Sequence, residues 1–382
     1  MKKRYLISPG PTPVPEEALL EMAKPIMHHR TPQFSAIFAE CAAGLKEIFG
    51  TGQDVLMLAS SGTGAMESAI VNLFSPGDTV LVVNAGKFGE RWGKISEAYG
   101  LNVEWLNVPW GEGVSPDAVA EALERNPKIA AVLTQGSETS TTAAHPIKEL
   151  AKLTEGKDTL LIVDGITSVG VVDMPMDGWG IDVLITGSQK ALMLPPGLAF
   201  IALSERAWKR TKTSKLPKYY FDLNRELKNY KEHTTAYTPA VSLICGLRVV
   251  LKMLFDEGLE NTYKRHDLLA RACRAGTAAL GLRPLAPASP ANSATGVYLP
   301  EGVDGGKLIK DLRDNYGVTF AGGQDSLKGK IVRIAHLGYF DSFDMVIAMG
   351  ALEMALAKTG KPVTMGAGVA AAQAVLNARY GG

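Results

Sequence analysis

Leu160-Leu161-Ile162-Val163-Asp164 and, further on, Asp182-Val183-Leu184-Ile185-Thr186-Gly187-Ser188-Gln189-Lys190 are two short apolar runs. One ends on an acid; the other leads through small residues to a lysine. Apolar runs without alternation mark strands buried on both faces, as in a parallel sheet covered by helices. Side chains at the carboxyl ends of such strands meet at one sheet edge, where open α/β sheets bind their ligands. A lone lysine is ordinarily a solvated surface group and a lone aspartate a helix cap. Placed together after two strands of one sheet, Asp164 and Lys190 read as a functional site.

The same alternation extends in both directions. Apolar strands are expected at 55–58, 79–83, 103–108, 130–134, 160–163, 183–186 and 198–203, with helices at 64–74, 90–99 and 147–153 between them. Ser115-Pro116 opens another helix with a capping hydroxyl and a first-turn proline. The fold class is therefore α/β, a large domain with a mainly parallel seven-stranded sheet flanked by helices. Upstream, Phe34, Phe38, Cys41, Leu45 and Ile48 form one apolar helical stripe. Before it, Pro9-Gly10-Pro11-Thr12-Pro13-Val14-Pro15 suits neither helix nor central strand, and reads as an extended arm over a surface. A Lys-rich stretch, 209–233, breaks the pattern, and after Gly258 the order becomes α+β. The expected organisation is an arm at 1–17, a large domain at 18–257 and a smaller C-terminal domain at 258–382, with an Ala-rich candidate helix in its tail.

Composition narrows the function. A net charge of +1 and 21% charged residues argue against a nucleic-acid or anionic-membrane partner. The three cysteines, Cys41, Cys245 and Cys273, are far apart and lack metal-site spacing, so neither a disulfide framework nor a metal is expected. The basic start Met1-Lys2-Lys3-Arg4 precedes too few apolar residues for a signal peptide, and no run approaches a membrane span. A cytoplasmic protein is the expectation.

Other stretches carry candidate chemistry. Ser60-Ser61-Gly62-Thr63-Gly64-Ala65-Met66-Glu67 is a glycine-rich turn between strand and helix, where free N–H groups and the helix dipole favour an anion. In Lys330-Ile331-Val332-Arg333-Ile334-Ala335, Arg333 points away from Val332 and Ile334 inside an apolar strand and requires an anion or an acid partner. Asn84-Ala85-Gly86-Lys87-Phe88-Gly89, Gly136-Ser137-Glu138-Thr139-Ser140 and Thr234-Thr235-Ala236-Tyr237-Thr238-Pro239 complete an ordered set.

Together these motifs resemble the class V aminotransferases, fold-type I pyridoxal-phosphate enzymes, and within them the alanine–glyoxylate and serine–pyruvate aminotransferases, over roughly residues 5–358. The resemblance implies pyridoxal 5'-phosphate as cofactor, held as a Schiff base by Lys190, with Asp164 beside the ring nitrogen. It implies Thr63, Gly64, Ala65 and Gln189 at the phosphate, Phe88 stacked on the ring where relatives often carry Trp, and Thr139 near the phenolic oxygen. Arg333 would take the substrate carboxylate. Tyr237 and Thr238 would reach the phosphate of a second subunit, in a homodimer with a shared site. The implied reaction is ping-pong transfer from a small L-amino acid (alanine or serine) to a small 2-oxo acid (glyoxylate or pyruvate).

Three rivals accompany it. His28-His29-Arg30 occupies a place where related enzymes meet a distal anion, so the substrate could be 2-aminoethylphosphonate, phosphoserine or aspartate. A cysteine desulfurase would need a mobile cysteine and a histidine before the lysine, where this chain has Gln189. A non-catalytic, hydrogenase-associated protein is the third; the chain has no iron–sulfur spacing.

Overall fold

The computed structural model describes residues 2–377. Seven strands form the large sheet: β1 (Val55–Leu58), β2 (Thr79–Asn84), β3 (Asn102–Asn107), β4 (Ile129–Gln135), β5 (Leu160–Asp164), β6 (Val183–Gly187) and β7 (Ala199–Leu203), in the order β1-β7-β6-β5-β4-β2-β3. All neighbours are parallel except β7, which runs antiparallel to both β1 and β6. Every residue of β1, β5, β6 and β7 is buried, as continuous apolar strands covered on both faces require.

Among the helices packed on this sheet, three come early in the chain. Helix α1 (Pro32–Phe49) starts at a proline behind Thr31, whose hydroxyl accepts from Phe34 N, and stops at Gly50 with φ 59°. Its expected stripe of Phe34, Phe38, Cys41, Leu45 and Ile48 is buried throughout. Helix α2 (Gly62–Leu73) follows β1, and α3 (Lys87–Ala98) follows β2. The helix Pro116–Arg125 begins at its proline as expected, but the Ser115 hydroxyl makes no capping bond. The Lys-rich stretch begins within the helix Glu205–Thr211 and contains another at Leu223–Tyr230, which is capped by Asp222.

Helix α4 (Val241–Glu257) runs into α5 (Leu259–Ala279) through Gly258, whose φ of 84° turns the chain. Beyond it a second core gathers around β8 (Ala294–Tyr298), β9 (Ala321–Gly322) and β10 (Ile331–Ala335), antiparallel in the order β8-β10-β9. Helices α6 (Ser342–Ala357) and α7 (Ala367–Asn377) cover it. The Ala-rich tail is thus helical as far as Asn377. Buried Glu353 of α6 accepts from the amides of Gly366, Gly368 and Val369 and so fixes the start of α7.

The N-terminal segment does more than lie on a surface. Tyr5–Leu6 is a short strand parallel to Val318–Thr319 of the second core, and Ile7 is buried in that core. The chain then crosses to the carboxyl ends of β5 and β6. No helix among the described residues is long and apolar enough to cross a membrane.

Candidate active site

Asp164 ends β5 in register with Ile185 of β6 and Gln135 of β4, so it stands at the sheet's carboxyl edge. It is 4% exposed, and its Oδ1 accepts from Ile166 N at 2.8 Å. Burial pushes its carboxyl up from 3.8 to about 7. The charge of Glu138 adds to this, while Ile166 N–H, Arg91 and Lys190 pull it back. Such an acid lacks a cationic partner of full strength and suits a ligand N–H.

Lys190 follows β6 after a turn tied by Ser188, whose hydroxyl donates to Pro195 O at 2.7 Å and accepts from Leu198 N at 3.2 Å. The lysine is also buried. Burial lowers its amine from 10.5 to about 8, aided by Arg333 and Arg91 and opposed by Asp164. The structure thus brings the acid and the amine within each other's field, as the strand reading predicts.

The arm closes over this amine. Lys190 Nζ donates to Pro9 O, and Thr12 Oγ1 donates to Lys190 O at 2.9 Å. Gly10 has φ +140°, and a Cβ on it would stand 2.0 Å from Lys190 Nζ. Only glycine fits there. The proline–glycine run was the available signal; that it covers the lysine was not.

Arg333 lies in β10 with Gly296 and Ala321 as its cross-strand neighbours, both small, so its side chain has room. It is 7% exposed; Nε donates to Gly322 O at 3.0 Å and Nη1 to Thr139 O at 2.7 Å. It has no carboxylate ion pair among the described residues. Burial lowers its pKa, and the charge of Glu138 opposes that. A buried guanidinium with carbonyl acceptors only is equipped to receive a carboxylate.

Helix α2 begins at Gly62, so Thr63, Gly64 and Ala65 all lie in its first turn. Gly64 N and Ala65 N both turn to Ser61 O, and Ala65 is fully buried; the amides of Gly62 and Thr63 remain for an anion. A Cβ on Gly64 would meet Ser60 Oγ at 2.0 Å and one on Gly62 would meet Ile166 Cδ1 at 2.3 Å. Gln189 Oε1, after the strand that ends nearby, is buried without a partner.

Phe88 sits half-buried in the first turn of α3. Arg91, unnoticed in the sequence, lies 4.8 Å over its ring and donates to Thr63 Oγ1 at 3.0 Å. Thr139 Oγ1 pairs with Thr167 Oγ1 at 2.9 Å. Glu138 was also unnoticed as a site residue; it is buried and accepts from the amides of Phe88, Gly89 and Ser140. Both are long-range partners of residues that were singled out.

Tyr237 and exposed Thr238 do not join this group within the chain. Tyr237 stacks on Tyr220 at 5.1 Å and donates to Tyr219 O at 2.9 Å, and Arg225 covers its ring at 4.9 Å. His29 stacks on His28 at 4.7 Å, and Arg30 is exposed. The three cysteines are buried thiols, and burial raises all three. Among the described residues no three His, Cys, Asp or Glu side chains converge as metal ligands.

Comparison with known proteins places this geometry. The family model described as aminotransferase class-V matches residues 4–338. The soluble hydrogenase small subunit of Synechococcus sp. (strain PCC 6716) is 44% identical over 98% of this chain and 99% of that one. The serine–glyoxylate aminotransferase of Methylorubrum extorquens is 36% identical over 98% and 96%. Among solved structures, the ureidoglycine–glyoxylate aminotransferase of Bacillus subtilis superposes with a TM-score of 0.93 at 29% identity, covering 98% of each chain.

Proposed function

Since the chain belongs to the class-V aminotransferases, we propose that it moves an amino group from a small L-amino acid, alanine or serine, to a small 2-oxo acid, glyoxylate or pyruvate, in two half-reactions. Pyridoxal 5'-phosphate is the cofactor of this fold-type I family. Its residues fit: an acid at the strand ends with its pKa raised by burial, a neighbouring amine with its pKa lowered, and two backbone amides, Gly62 and Thr63, left free at the start of α2. When bound, the cofactor supplies an aldehyde for the amino group and a ring that draws electrons from the α-carbon.

The chain's own groups divide the remaining work. Lys190 Nζ, with its pKa lowered to about 8, is available as a neutral amine that bonds the cofactor and, once released, carries the α-proton. Asp164 keeps a proton on the ring nitrogen, because a buried carboxylate is stabilised by a cationic N–H beside it. The amides of Gly62 and Thr63, the Thr63 hydroxyl and Gln189 receive the phosphate, with Gly64 and Ala65 shaping that turn. Phe88 offers its ring face and Thr139 its hydroxyl. Arg333 takes the substrate carboxylate in both half-reactions, since donor and acceptor share that group.

The single observation that carries this function is the meeting of Lys190 and Asp164 at the edge of the large sheet, with acid-free Arg333 of the second sheet within the lysine's field. Gly10 supports small substrates, because the arm lies against the reacting amine. The glyoxylate aminotransferases among the similar proteins support glyoxylate as acceptor. Exposed Tyr219 and Tyr220, packed around Tyr237 and Arg225, support a homodimer in which Tyr237 and Thr238 reach a partner's phosphate.

A second donor class is favoured by Arg30, exposed and without an acidic partner among the described residues. Presented across a dimer, it would suit 2-aminoethylphosphonate, phosphoserine or aspartate. Desulfurase chemistry is disfavoured by the burial of every thiol. The hydrogenase name of one relative calls for no metal chemistry that this site's residue types favour.

The test is direct. L-Alanine and L-serine should remove the cofactor's visible absorbance and glyoxylate or pyruvate should restore it, with aspartate and phosphorylated amines as competitors. A Lys190→Ala protein that still forms a borohydride-reducible adduct and turns over at the wild-type rate refutes the mechanism.

A further inference from the structure

Glu138 has no role in the chemistry described above, yet it is fully buried at the centre of the site. Its Oε2 accepts from Phe88 N and Gly89 N, each at 3.0 Å; its Oε1 accepts from Ser140 N at 3.0 Å and from the Ser140 hydroxyl. Ser140 Oγ in turn accepts from Lys87 N at 3.0 Å. Helix α3 has no cap of its own. Gly86 precedes it, and a Cβ there would stand 2.3 Å from Ser140 Oγ and 2.7 Å from Glu138 Cδ. The first three amides of α3 are therefore satisfied by a turn from another part of the chain, as buried helix starts must be. Between the two capping residues sits Thr139, whose carbonyl holds Arg333 Nη1 at 2.7 Å.

We propose that Glu138 is a positioning residue that sets two parts of the site at once, the ring face of Phe88 through the start of α3 and the guanidinium of Arg333 through the Thr139 carbonyl. This rests on the roles given above to Phe88 and Arg333. A carboxylate suits the place because it accepts at both oxygens and donates nowhere. A glutamine would turn its NH2 toward one of the two donor sets. A buried backbone N–H would then lose its acceptor, and the helix start or the turn would shift to recover one.

The holoenzyme carrying Glu138→Gln tests this. The expected result is a cofactor Kd raised about 10-fold, a weakened visible circular dichroism band of the bound cofactor, and a donor KM raised about 10-fold, as for the loss of one buried hydrogen bond. Ser140→Ala should shift the same three readouts less, and it carries the test if Glu138→Gln does not fold. Phe88→Leu and Arg333→Gln are the controls, the first for the cofactor band and the second for donor KM. If both controls respond while a folded Glu138→Gln, or Ser140→Ala in its place, leaves band, Kd and KM at wild-type values, the proposal is overturned and the site reading stands. If neither control responds, the site reading itself fails and takes the proposal with it.

Discussion

Replacing Asp164 by asparagine should make the cofactor-free protein more stable while weakening its hold on the cofactor. In the folded chain the carboxyl titrates near 7 rather than at 3.8, chiefly because it is buried. Between these values the folded state keeps a proton that the unfolded state has released. Stability therefore falls as pH rises through that window, and the whole penalty is present above about 7. Three pH units at about 1.4 kcal/mol each give about 4 kcal/mol. The asparagine side chain would keep an oxygen for Ile166 N–H, so that bond need not be lost. Removing the carboxylate also withdraws support from protonated Lys190, which reduces the expected gain to about 2–4 kcal/mol at pH 8. The assay is urea denaturation of the cofactor-free proteins at fixed protein concentration, at pH 8 and again near pH 4. Asp164→Asn should be the more stable at pH 8 and nearly equal near pH 4. A variant no more stable at pH 8, or one whose advantage is the same at both pH values, would refute the reasoning.

Three further outcomes are expected. Gly10→Ala places a methyl group where Lys190 Nζ stands and should lower kcat about 100-fold, measured by steady-state turnover, because it displaces the amine or the arm. Arg333→Gln should raise donor KM about 10- to 100-fold, in keeping with the loss of a charge-assisted hydrogen bond, with little change in cofactor affinity by fluorescence titration at a pH well above the Lys190 titration. Capture of pyridoxal 5'-phosphate by the cofactor-free protein, followed by absorbance, should rise with pH through about 8 as Lys190 loses its proton, and the midpoint should move upward in Arg333→Gln, where one opposing cation is gone.

The large sheet was legible because strands covered on both faces carry few polar residues, so β5, β6 and β7 stand out as apolar runs. Asp164 and Lys190 were legible for the same reason: polarity resumes where each strand leaves the sheet. Arg333 was legible as a charge inside an apolar strand. What stayed hidden depends on partners far apart in the chain. Glu138 looks like any loop acid until the amides of Phe88 and Gly89 are brought to it. Arg91 looks like the polar side of a helix until its guanidinium is found donating to Thr63 at the start of another. The Ser115 hydroxyl shows the converse, since a favourable local signal was present and the bond was not made. Glycine positions followed the same division: Gly258 marked where the pattern of elements changes, but Gly10 had meaning only once the lysine beneath it was known.

The strand at Tyr5–Leu6 finds its mate only at Val318–Thr319, and Pro9 meets Lys190 by way of that attachment. During synthesis this strand thus waits for a stretch made far later before it can dock. The clasp over the reactive amine closes as a finishing step, and a nascent or C-terminally truncated chain, even with its large sheet assembled, would leave that amine uncovered.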